Sequence, residues 1–427
     1  MPSEASIELP IIGKIPSDWR AVEFAAVLDG GTRNGIYKPK EFHGRGAKIV
    51  NMGELFAYPR LRAVDMKRVE LTTSELDRFE LRPGDLLFAR RSLVPEGAGK
   101  CSVVLEVDGA TTFESSLIRA RPHRREADSL FLYYLFNSPF GAHALASILR
   151  HVAVAGITGS DLVKLVLPLP RLSEQHAISN MLGALDDKIE LNRRMNDTLE
   201  AMARALFQNW FVDATYAGLP KGWRVGTLGE SLSVIETGGR PKGGIKDITE
   251  GVPSVGAESI VGIGRFDYGK TRFVPREFFA AMNKGHVRDG DVLLYKDGGR
   301  PGEFEPHVTM IGDGFPFSEF SINEHVYRLR TEPTLPQSFL FFWLSSDGTM
   351  DEMRNRGTGV AIPGLNSTAV RELPVVLPPA TLLEAFDERV SPLIRRIFAN
   401  CNESRTLAAL RDELLPKLLS GEVRVNS

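Results

Sequence analysis

Residues 156–176 read GITGSDLVKLVLPLPRLSEQH, and this segment decides the fold because the chain contains a second copy of it. The copy, at residues 364–384, reads GLNSTAVRELPVVLPPATLLE. The alignment continues without a gap from residues 156–211 onto residues 364–419, at a constant offset of 208 residues. This period is far longer than the roughly 20–50 residues of a solenoid unit. The sequence therefore predicts two domain-sized modules, each followed by a long helix.

A looser copy runs upstream in each module. Residues 15–20 (IPSDWR) match residues 219–224 (LPKGWR), and residues 82–88 (RPGDLLF) match residues 288–294 (RDGDVLL). Short apolar runs separated by turn residues follow in both modules, which is typical of strands. We therefore expect an α/β (α+β) fold for each module, with a curved and largely antiparallel sheet, in tandem duplication.

Composition favours a globular chain without a general affinity for nucleic acid. The 427 residues are 43% hydrophobic, which is enough for two cores of ordinary domain size. The net charge is −2 and the isoelectric point is about 6.5, so any nucleic-acid contact must come from local basic groups. Of the two modules, only the first, residues 1–171, has more basic than acidic residues.

Cysteine usage and the N-terminal sequence favour a reducing compartment. Cys101 and Cys401 are the two cysteines of the chain, too few for a disulfide framework or a four-cysteine zinc site. The N-terminal residues lack a charged segment followed by an apolar run, and no stretch approaches the roughly 20 apolar residues that span a bilayer. We therefore expect a cytoplasmic protein without membrane association.

Apolar residues recur every three or four positions through residues 174–211 and through the second copy, as in helices that pair along a heptad seam. Both seams are interrupted at the same place, by Asn192 and Asn196 in the first copy and by Asn400 and Ser404 in the second. Such polar breaks fix the register of paired helices. We therefore expect the two helices to form an antiparallel coiled-coil spacer; the alternative is that each packs only on its own module. The predicted pairing residues are Ile178, Leu182, Leu185, Ile189, Asn192, Asn196, Leu199, Phe386, Val390, Leu393, Ile397, Asn400, Ser404 and Leu407.

The loops that follow the paired Gly-Asp strands differ although the strands agree. The first loop contains ARRS at residues 89–92, and the second contains KDGGR at residues 296–300. A common frame with unlike basic loops is what two reading heads for different DNA sequences require, because base edges and phosphates are contacted by such side chains. The alternative is that these are ordinary solvated surface charges. The candidate DNA-binding residues are Arg33, Lys38, Lys40, Arg90, Arg91, Arg240, Lys242, Lys246, Lys296 and Arg300.

The sequence contains no motif of a catalytic centre. Residues 96–101 (EGAGKC) resemble the end of a P-loop, but Cys101 stands where Ser or Thr would ligate magnesium. The eight histidines lack the spacing of metal ligands. We therefore predict a chain that is not an enzyme and that binds no metal or cofactor of its own.

In its module starts, Gly-Asp strands and helix entries, the chain resembles the specificity subunit of type I restriction-modification systems. This resemblance implies two target recognition domains that each read half of a split site in double-stranded DNA, held apart by two helices. It also implies two methylation subunits and, for cleavage, two motor-nuclease subunits as partners, which would bring S-adenosylmethionine, ATP and Mg. A subunit of a methylation-only or fused restriction and methylation system, or a helical protein-binding scaffold without DNA binding, remains an alternative.

The resemblance divides the chain into two recognition domains at residues 1–171 and 214–379, a central spacer helix at 172–213, and a C-terminal helix and tail at 380–427. One departure is that Leu382 and Leu383 stand where the first copy has Glu174 and Gln175. The ends of both helices are more apolar than a two-helix seam requires. We expect this surplus to dock the methylation subunit, and the alternative is packing onto the adjacent module. The candidate docking residues are Phe207, Trp210, Phe211, Leu415 and Leu419.

Overall fold

The chain forms two compact units. Unit 1 comprises Met1–Asp187 and Ala408–Ser427, and unit 2 comprises Lys188–Leu407. The four-part domain division predicted above is not tested by these units and stays a prediction. Glu96, at the start of the P-loop-like stretch, lies outside the described residues. The computed structural model describes residues 8–92, 97–150, 155–300, 302–359 and 363–425.

Unit 1 is built from short strands and short helices, followed by one long helix that continues into unit 2. Its strands are β1 Glu8–Leu9, β2 Gly13–Lys14, β3 Arg20–Glu23, β4 Leu28–Asn34, β5 His43–Val50, β6 Arg60–Leu61, β7 Arg68–Val69, β8 Leu86–Ala89, β9 Arg91–Ser92, β10 Cys101–Val104, β11 Thr111–Phe113, β12 Leu117–Pro122, β13 Ala155–Gly156 and β14 Val166–Leu169. Its helices are α1 Met52–Ala57, α2 Thr73–Phe79, α3 Ser129–Phe136, α4 Pro139–Ser147, α5 Gly159–Leu162 and α6 Leu172–Phe207.

The main sheet of unit 1 has the strand order β4-β12-β8-β10-β6. Strand β12 runs antiparallel to both β4 and β8, and only the β10–β6 pair is parallel. All four residues of β8 are buried because both faces of this strand are covered. Leu86 and Phe88 pack into one apolar cluster, whereas Leu87 and Ala89 pack into another. Smaller sheets have the orders β11-β5-β7 and β14-β3.

Unit 2 contains the second set of strands and helices. Its strands are β15 Arg224–Thr227, β16 Leu232–Thr237, β17 Val252–Val255, β18 Arg272–Val274, β19 Val292–Tyr295, β20 Gly299–Arg300, β21 Glu303–Phe304, β22 Val308–Met310, β23 Ser321–Ile322, β24 Val326–Thr331 and β25 Pro374–Leu377. Its helices are α7 Arg276–Ala281, α8 Gln337–Leu344, α9 Asp347–Arg356, α10 Ser367–Arg371 and α11 Ala380–Ser420, the last of which continues into unit 1.

The sheets of unit 2 repeat those of unit 1. The main sheet has the order β16-β24-β19-β22, and the smaller sheets have the orders β18-β17-β23 and β15-β25. In β19, Val292 and Leu294 belong to one apolar cluster and Leu293 to another, as in β8. The duplication of mixed helix-and-sheet modules predicted from the sequence is therefore confirmed.

The two long helices begin after prolines and have nearly the predicted bounds. Helix α6 starts two residues after Pro170, and α11 directly follows Pro379, because proline restricts the backbone at a helix entrance. Helix α6 ends at Phe207, and the predicted continuation is instead a π-helical turn, Gln208–Val212, followed by a 3-10 turn, Asp213–Thr215.

The predicted antiparallel pairing of α6 with α11 is confirmed, and the polar breaks lie opposite each other. In unit 2, the Asn192 side-chain amide donates to the Ser404 hydroxyl at 3.2 Å, and the Asn400 amide donates to the Asn196 side-chain oxygen at 2.8 Å. Asn192 and Asn400 are almost fully buried. Because each buried amide has a partner on the facing helix, the breaks specify one register.

Unit 1 contains the other ends of the same two helices. Ile178 and Leu182 of α6 share an apolar cluster with Leu418 and Leu419 of α11. Outside this cluster, Arg411 and Asp186 form an ion pair of 2.6 Å. The start of α6 therefore packs with the end of α11, as an antiparallel arrangement requires.

The Glu-Gln entry to α6 has a structural role in unit 1 that its counterpart does not have. The Gln175 side chain accepts a hydrogen bond from the Asp128 backbone N–H at 2.9 Å and donates to the Pro170 carbonyl at 2.9 Å. Glu174 accepts from the Trp19 indole N–H at 3.2 Å. The leucine side chains of Leu382 and Leu383 cannot form hydrogen bonds, so unit 2 lacks the side-chain hydrogen bonds that Glu174 and Gln175 make in unit 1.

Candidate nucleic-acid interface

The Asp of each Gly-Asp motif anchors its strand within the sheet of its own unit. In unit 1, Asp85 is 1% exposed, accepts from the Arg82 backbone N–H at 2.8 Å and forms a two-point ion pair with Arg121. Bidentate arginine–carboxylate pairs combine hydrogen bonding with charge and hold a fixed geometry. The repeated motif therefore positions the frame of the sheet.

Unit 2 repeats this arrangement. Asp291 is fully buried and accepts from the Arg288 backbone N–H at 2.8 Å. Its carboxylate also binds Arg328 at 2.5 Å and Arg330 at 2.7 Å. The pairing arginines lie in an Arg-x-Arg segment that both units share, a signal that the sequence reasoning missed. Arg121 of residues 119–121 pairs with Asp85, and both arginines of residues 328–330 pair with Asp291.

The basic loop of unit 1 lies where two parallel-running strands end. Strands β4 and β8 flank β12, and Ile118 of β12 lies opposite Asn34 on one side and Phe88 on the other. The chain therefore leaves β4 and β8 at the same edge of the sheet. We call this the unit 1 edge, defined as residues 34–40, 89–92 and 114–116.

The predicted residues of unit 1 are not equally free to contact DNA. Arg33 belongs to β4 and lies over the Phe79 ring at 6.0 Å, and Lys38 forms a 2.8 Å ion pair with Glu75. Arg90 is half-buried, and its guanidinium donates to the Ser115 carbonyl at 3.4 Å. The two predicted residues with exposed side chains are Lys40 and Arg91.

Unit 2 has the equivalent edge. Tyr327 of β24 lies opposite Thr237 of β16 on one side and Leu294 of β19 on the other. The unit 2 edge is defined as residues 238–246, 296–300 and 323–325. It brings together the two predicted basic segments and residues 323–325, which are far apart in sequence.

Ion pairs and hydrogen bonds connect most of the side chains at the unit 2 edge. Asp297 bonds with both Lys296 and His325, and Glu324 forms a 2.5 Å ion pair with Arg240. Burial opposes ionisation of the Asp297 carboxyl, but hydrogen bonds from Lys296 and His325 outweigh that effect and lower its pKa. Burial is also the largest single effect on Glu324 and opposes its ionisation. The hydrogen bonds from Arg240 and the backbone, together with the nearby positive charges, outweigh it, so that the pKa of Glu324 is also lowered. Both carboxylates are therefore held charged.

The remaining predicted residues of unit 2 have exposed side chains. They are Lys242, Lys246 and Arg300, and no ion pair of theirs is found within the described ranges. The structure thus separates two kinds of predicted basic residue at this edge: Lys296 and Arg240 in a network with acids, and three cations open to solvent.

The repeated Gly-Ile and Gly-Leu segments position the two loops through the backbone. In unit 1 the Ile157 N–H donates to the Arg90 carbonyl at 3.0 Å, and in unit 2 the Leu365 N–H donates to the Lys296 carbonyl at 2.8 Å. Glycine precedes both donors because the backbone of the repeated segment and the backbone of the basic loop lie close together. A Cβ added at Gly364 would lie 2.5 Å from the Asp297 Cβ and 2.6 Å from the Lys296 carbonyl oxygen. The sequence showed the repeat but not that it contacts the basic loops.

The predicted pairing residues of α6 and α11 lie along the seam with different degrees of burial. The buried residues are Ile178, Leu182, Asn192, Phe386, Val390, Ile397 and Asn400. The half-buried residues are Leu185, Ile189, Asn196, Leu199, Leu393, Ser404 and Leu407.

The docking prediction needs correction at three residues, since these lie in the cores of their own units. Phe207 and Phe211 are 3% and 1% exposed and pack against the Phe339 ring at 5.6 and 5.0 Å. Leu419 is 1% exposed in the core of unit 1. These side chains have little exposed surface and pack into their own units, so the alternative of packing onto the adjacent module is what the structure shows. Leu415 and Trp210 are half-buried, and their docking role stays a prediction.

Two properties of the described residues bear on other classes of site. None of the helices there combines the length and the apolar character needed to cross a bilayer. Nor do His, Cys, Asp and Glu side chains form a group of three or more suited to a metal ion in that part of the chain.

Part of the chain matches a known family model, and the whole chain has related sequences. Residues 32–201 match the family model of the type I restriction modification DNA specificity domain. The chain is 25% identical to the type I restriction enzyme MjaIX specificity subunit of Methanocaldococcus jannaschii, over 97% of this chain and 95% of that relative. It is 28% identical to the EcoKI specificity subunit of Escherichia coli K12, over 50% of this chain and 48% of that relative.

A solved structure has the same fold. The S subunit of the type I restriction-modification system from M. genitalium aligns with a TM-score of 0.55 at 16% sequence identity, over 97% of this chain and 98% of that one. The duplicated modules and the paired helices of this chain are consistent with the sequence matches to type I specificity subunits. Residues 32–201 thus match the DNA specificity domain of type I systems, and the chain as a whole is similar in sequence to type I specificity subunits.

Proposed function

We propose that this chain recognises DNA for a type I restriction-modification complex, each unit reading one half of a bipartite site. The observation that carries the proposal is the pair of equivalent edges, which share a strand frame but carry different side chains. A shared frame presents the loops in the same way, and the unlike side chains give each unit its own base preference.

The two edges offer different chemistry to a DNA groove. The unit 1 edge exposes Arg91 and Lys40, and an arginine donates well to guanine O6 and N7. The unit 2 edge combines the exposed cations Arg300, Lys242 and Lys246 with ionised carboxylates, which can accept from the amino group of cytosine. We infer that the exposed lysines bind phosphates, which supply affinity without sequence preference.

The chain itself is proposed to be non-catalytic. We propose that two methylation subunits bring S-adenosylmethionine, and that two motor-nuclease subunits bring ATP and Mg where the complex cleaves DNA. The recognition domains are proposed to span residues 1–171 and 214–379, with the helical segments 172–213 and 380–427 between and after them. A methylation-only or fused system would use the same recognition chemistry and differ in its partners.

Methylome sequencing of a host with and without this chain tests the function. We expect one bipartite motif to lose its methylation when the chain is removed. Replacing residues 1–171 with the module of a relative should change one half of the motif and keep the other. Loss of both halves in a folded chimera, or an unchanged motif, would contradict independent reading by the two units.

Single substitutions separate base reading from phosphate binding. If Arg91 or Arg300 reads a base, its replacement by Ala should cost about 1–3 kcal/mol on one half-site and relax the preference at one position. If either binds phosphate, the variant should weaken binding to all duplexes alike and lower the salt dependence by about one counterion. A purified chain that binds no duplex in the presence of methylation subunits would instead support the protein-binding scaffold.

A further inference from the structure

A groove on unit 2 lies beside the C-terminal end of α6 and has a volume of about 470 Å³. This volume is in the range of pockets that accept small ligands or side chains. Its lining includes the buried Phe211 and Val375 and the half-buried Trp343. Tyr216 and Val225 also line it and are 80% and 60% exposed. The groove is therefore an apolar depression that borders exposed apolar side chains.

At the groove, unit 2 has glycine where unit 1 has an aromatic residue of the repeat. The offset of 208 residues places Gly348, in α9, at the position that Phe140 holds in α4 of unit 1. Phe140 is 4% exposed within the main apolar cluster of that unit. The same cluster contains the counterparts of Phe211, Trp343 and Val375, which are Leu419, Leu135 and Leu167. A Cβ at Gly348 would meet no atom within 4 Å. In unit 1 the chain thus buries an aromatic ring at the position that remains open in unit 2.

The charged side chains that line the groove are acidic. Asp347 and Glu352 line it, and no lysine or arginine does so among the described residues. Glu352 is bonded to Arg356 at 2.7 Å, whereas Asp347 is exposed and has no ion pair within the described ranges. A ligand that brings a positive charge next to its ring would complement this rim.

We propose that the groove docks an aromatic side chain of the methylation subunit, carried on a segment with an adjacent lysine or arginine. The proposal rests on the proposed function for the existence of that partner. Aromatic anchors that enter a preformed pocket are typical of the residues that dominate binding energy at protein interfaces. A π-helical turn, Gln208–Val212, contributes to the same groove, and such turns are frequent at functional sites. Because unit 1 has Phe140 at the equivalent position, the groove would distinguish one docking face of the subunit from the other.

The test fills the groove from within. In Gly348→Phe the new ring should occupy the groove as Phe140 does in unit 1, and we expect the Kd for the methylation subunit to rise at least tenfold. Gly348→Ala is the matched control: it removes the same glycine from the same helix without filling the space, so its Kd should stay within twofold of wild type. The measurement is titration of the full-length chain with the purified methylation subunit, with thermal unfolding recorded for each variant.

A second variant keeps the test decisive if the larger side chain disturbs the fold. Asp347→Lys reverses the free charge at the rim and should weaken binding severalfold at low salt, with the difference disappearing as salt screens it. Wild-type affinity in a folded Gly348→Phe variant, or in Asp347→Lys at low salt, would overturn the inference. Self-association of the wild-type chain that only Gly348→Phe abolishes would also overturn it, because the occupant would then be a second copy. No binding of the methylation subunit by the wild-type chain would refute the proposed function itself.

Discussion

Gly364→Ala should displace the reading loop of unit 2 and damage recognition of one half-site. The added Cβ would lie 2.5 Å from the Cβ of Asp297, 2.6 Å from the Lys296 carbonyl oxygen and 2.8 Å from the Asp297 Cα. These are backbone atoms and a Cβ, which cannot rotate away, so the loop must move relative to the Gly-Leu segment. Overpacking of this kind costs about 1–3 kcal/mol. The hydrogen bond from Leu365 to the Lys296 carbonyl would be strained as well.

The assay compares binding to duplexes that carry a base change in only one half of the site. Gly364→Ala should lose discrimination at one half-site, keep it at the other, and lower the urea midpoint of unfolding. Gly239→Ala is the matched control, since this glycine lies at the same edge, has no positive φ, and has no atom within 4 Å of an added Cβ. Full discrimination at both half-sites by the Gly364→Ala variant would refute the argument that this backbone joint positions the loop.

Three further predictions concern stability and reactivity. Asp291→Ala should lower the free energy of unfolding by about 3–5 kcal/mol, because it leaves Arg328 without one of its buried partners. Asp289→Ala, at the exposed neighbour, should lower it by under about 1 kcal/mol. Equal urea midpoints for the two variants would contradict this prediction. Asn192→Leu should retain helix content but allow more than one register of the helix pair, which would broaden or double the NMR signals of the helix amides. A single sharp set of native signals would show that the Asn192 side-chain amide is not required for the register. Burial raises the pKa of Cys401 to about 11, so at pH 8 only about one Cys401 thiol in a thousand is ionised. Alkylation of Cys401 in the native chain should therefore be slow until the pH approaches 11. Rapid modification of Cys401 in the folded protein at pH 8 would contradict its burial.

The partly corrected docking prediction shows where sequence reasoning stops. The apolar surplus at Phe207 and Phe211 is more than a two-helix seam needs, but both rings pack into unit 2. Residues of α8, more than a hundred positions away in sequence, cover Phe207. A helical pattern states that a face is apolar and does not state what covers it.

The basic residues show the same limit. Lys38 meets Glu75 at a separation of 37 residues, and His325 meets Asp297 at a separation of 28. In the sequence these residues look as available as Lys242 or Arg91. Only the folded chain distinguishes cations held in ion pairs from cations that face solvent.

The sequence by itself determined the duplication, the strand frame with its Gly-Asp motifs, the two long helices and the opposed asparagine breaks. The strands, helices and breaks depend on residues a few positions apart, whose spacing matches the period of a helix or a strand, and the duplication follows from comparing the sequence with itself at an offset of 208 residues. Only the tertiary structure decided which basic side chains remain exposed, that Gly364 must be small, and that Gly348 leaves open in one unit a place that Phe140 occupies in the other. These depend on atoms that are distant along the chain and meet only after folding, so their consequences follow from packing and not from local pattern.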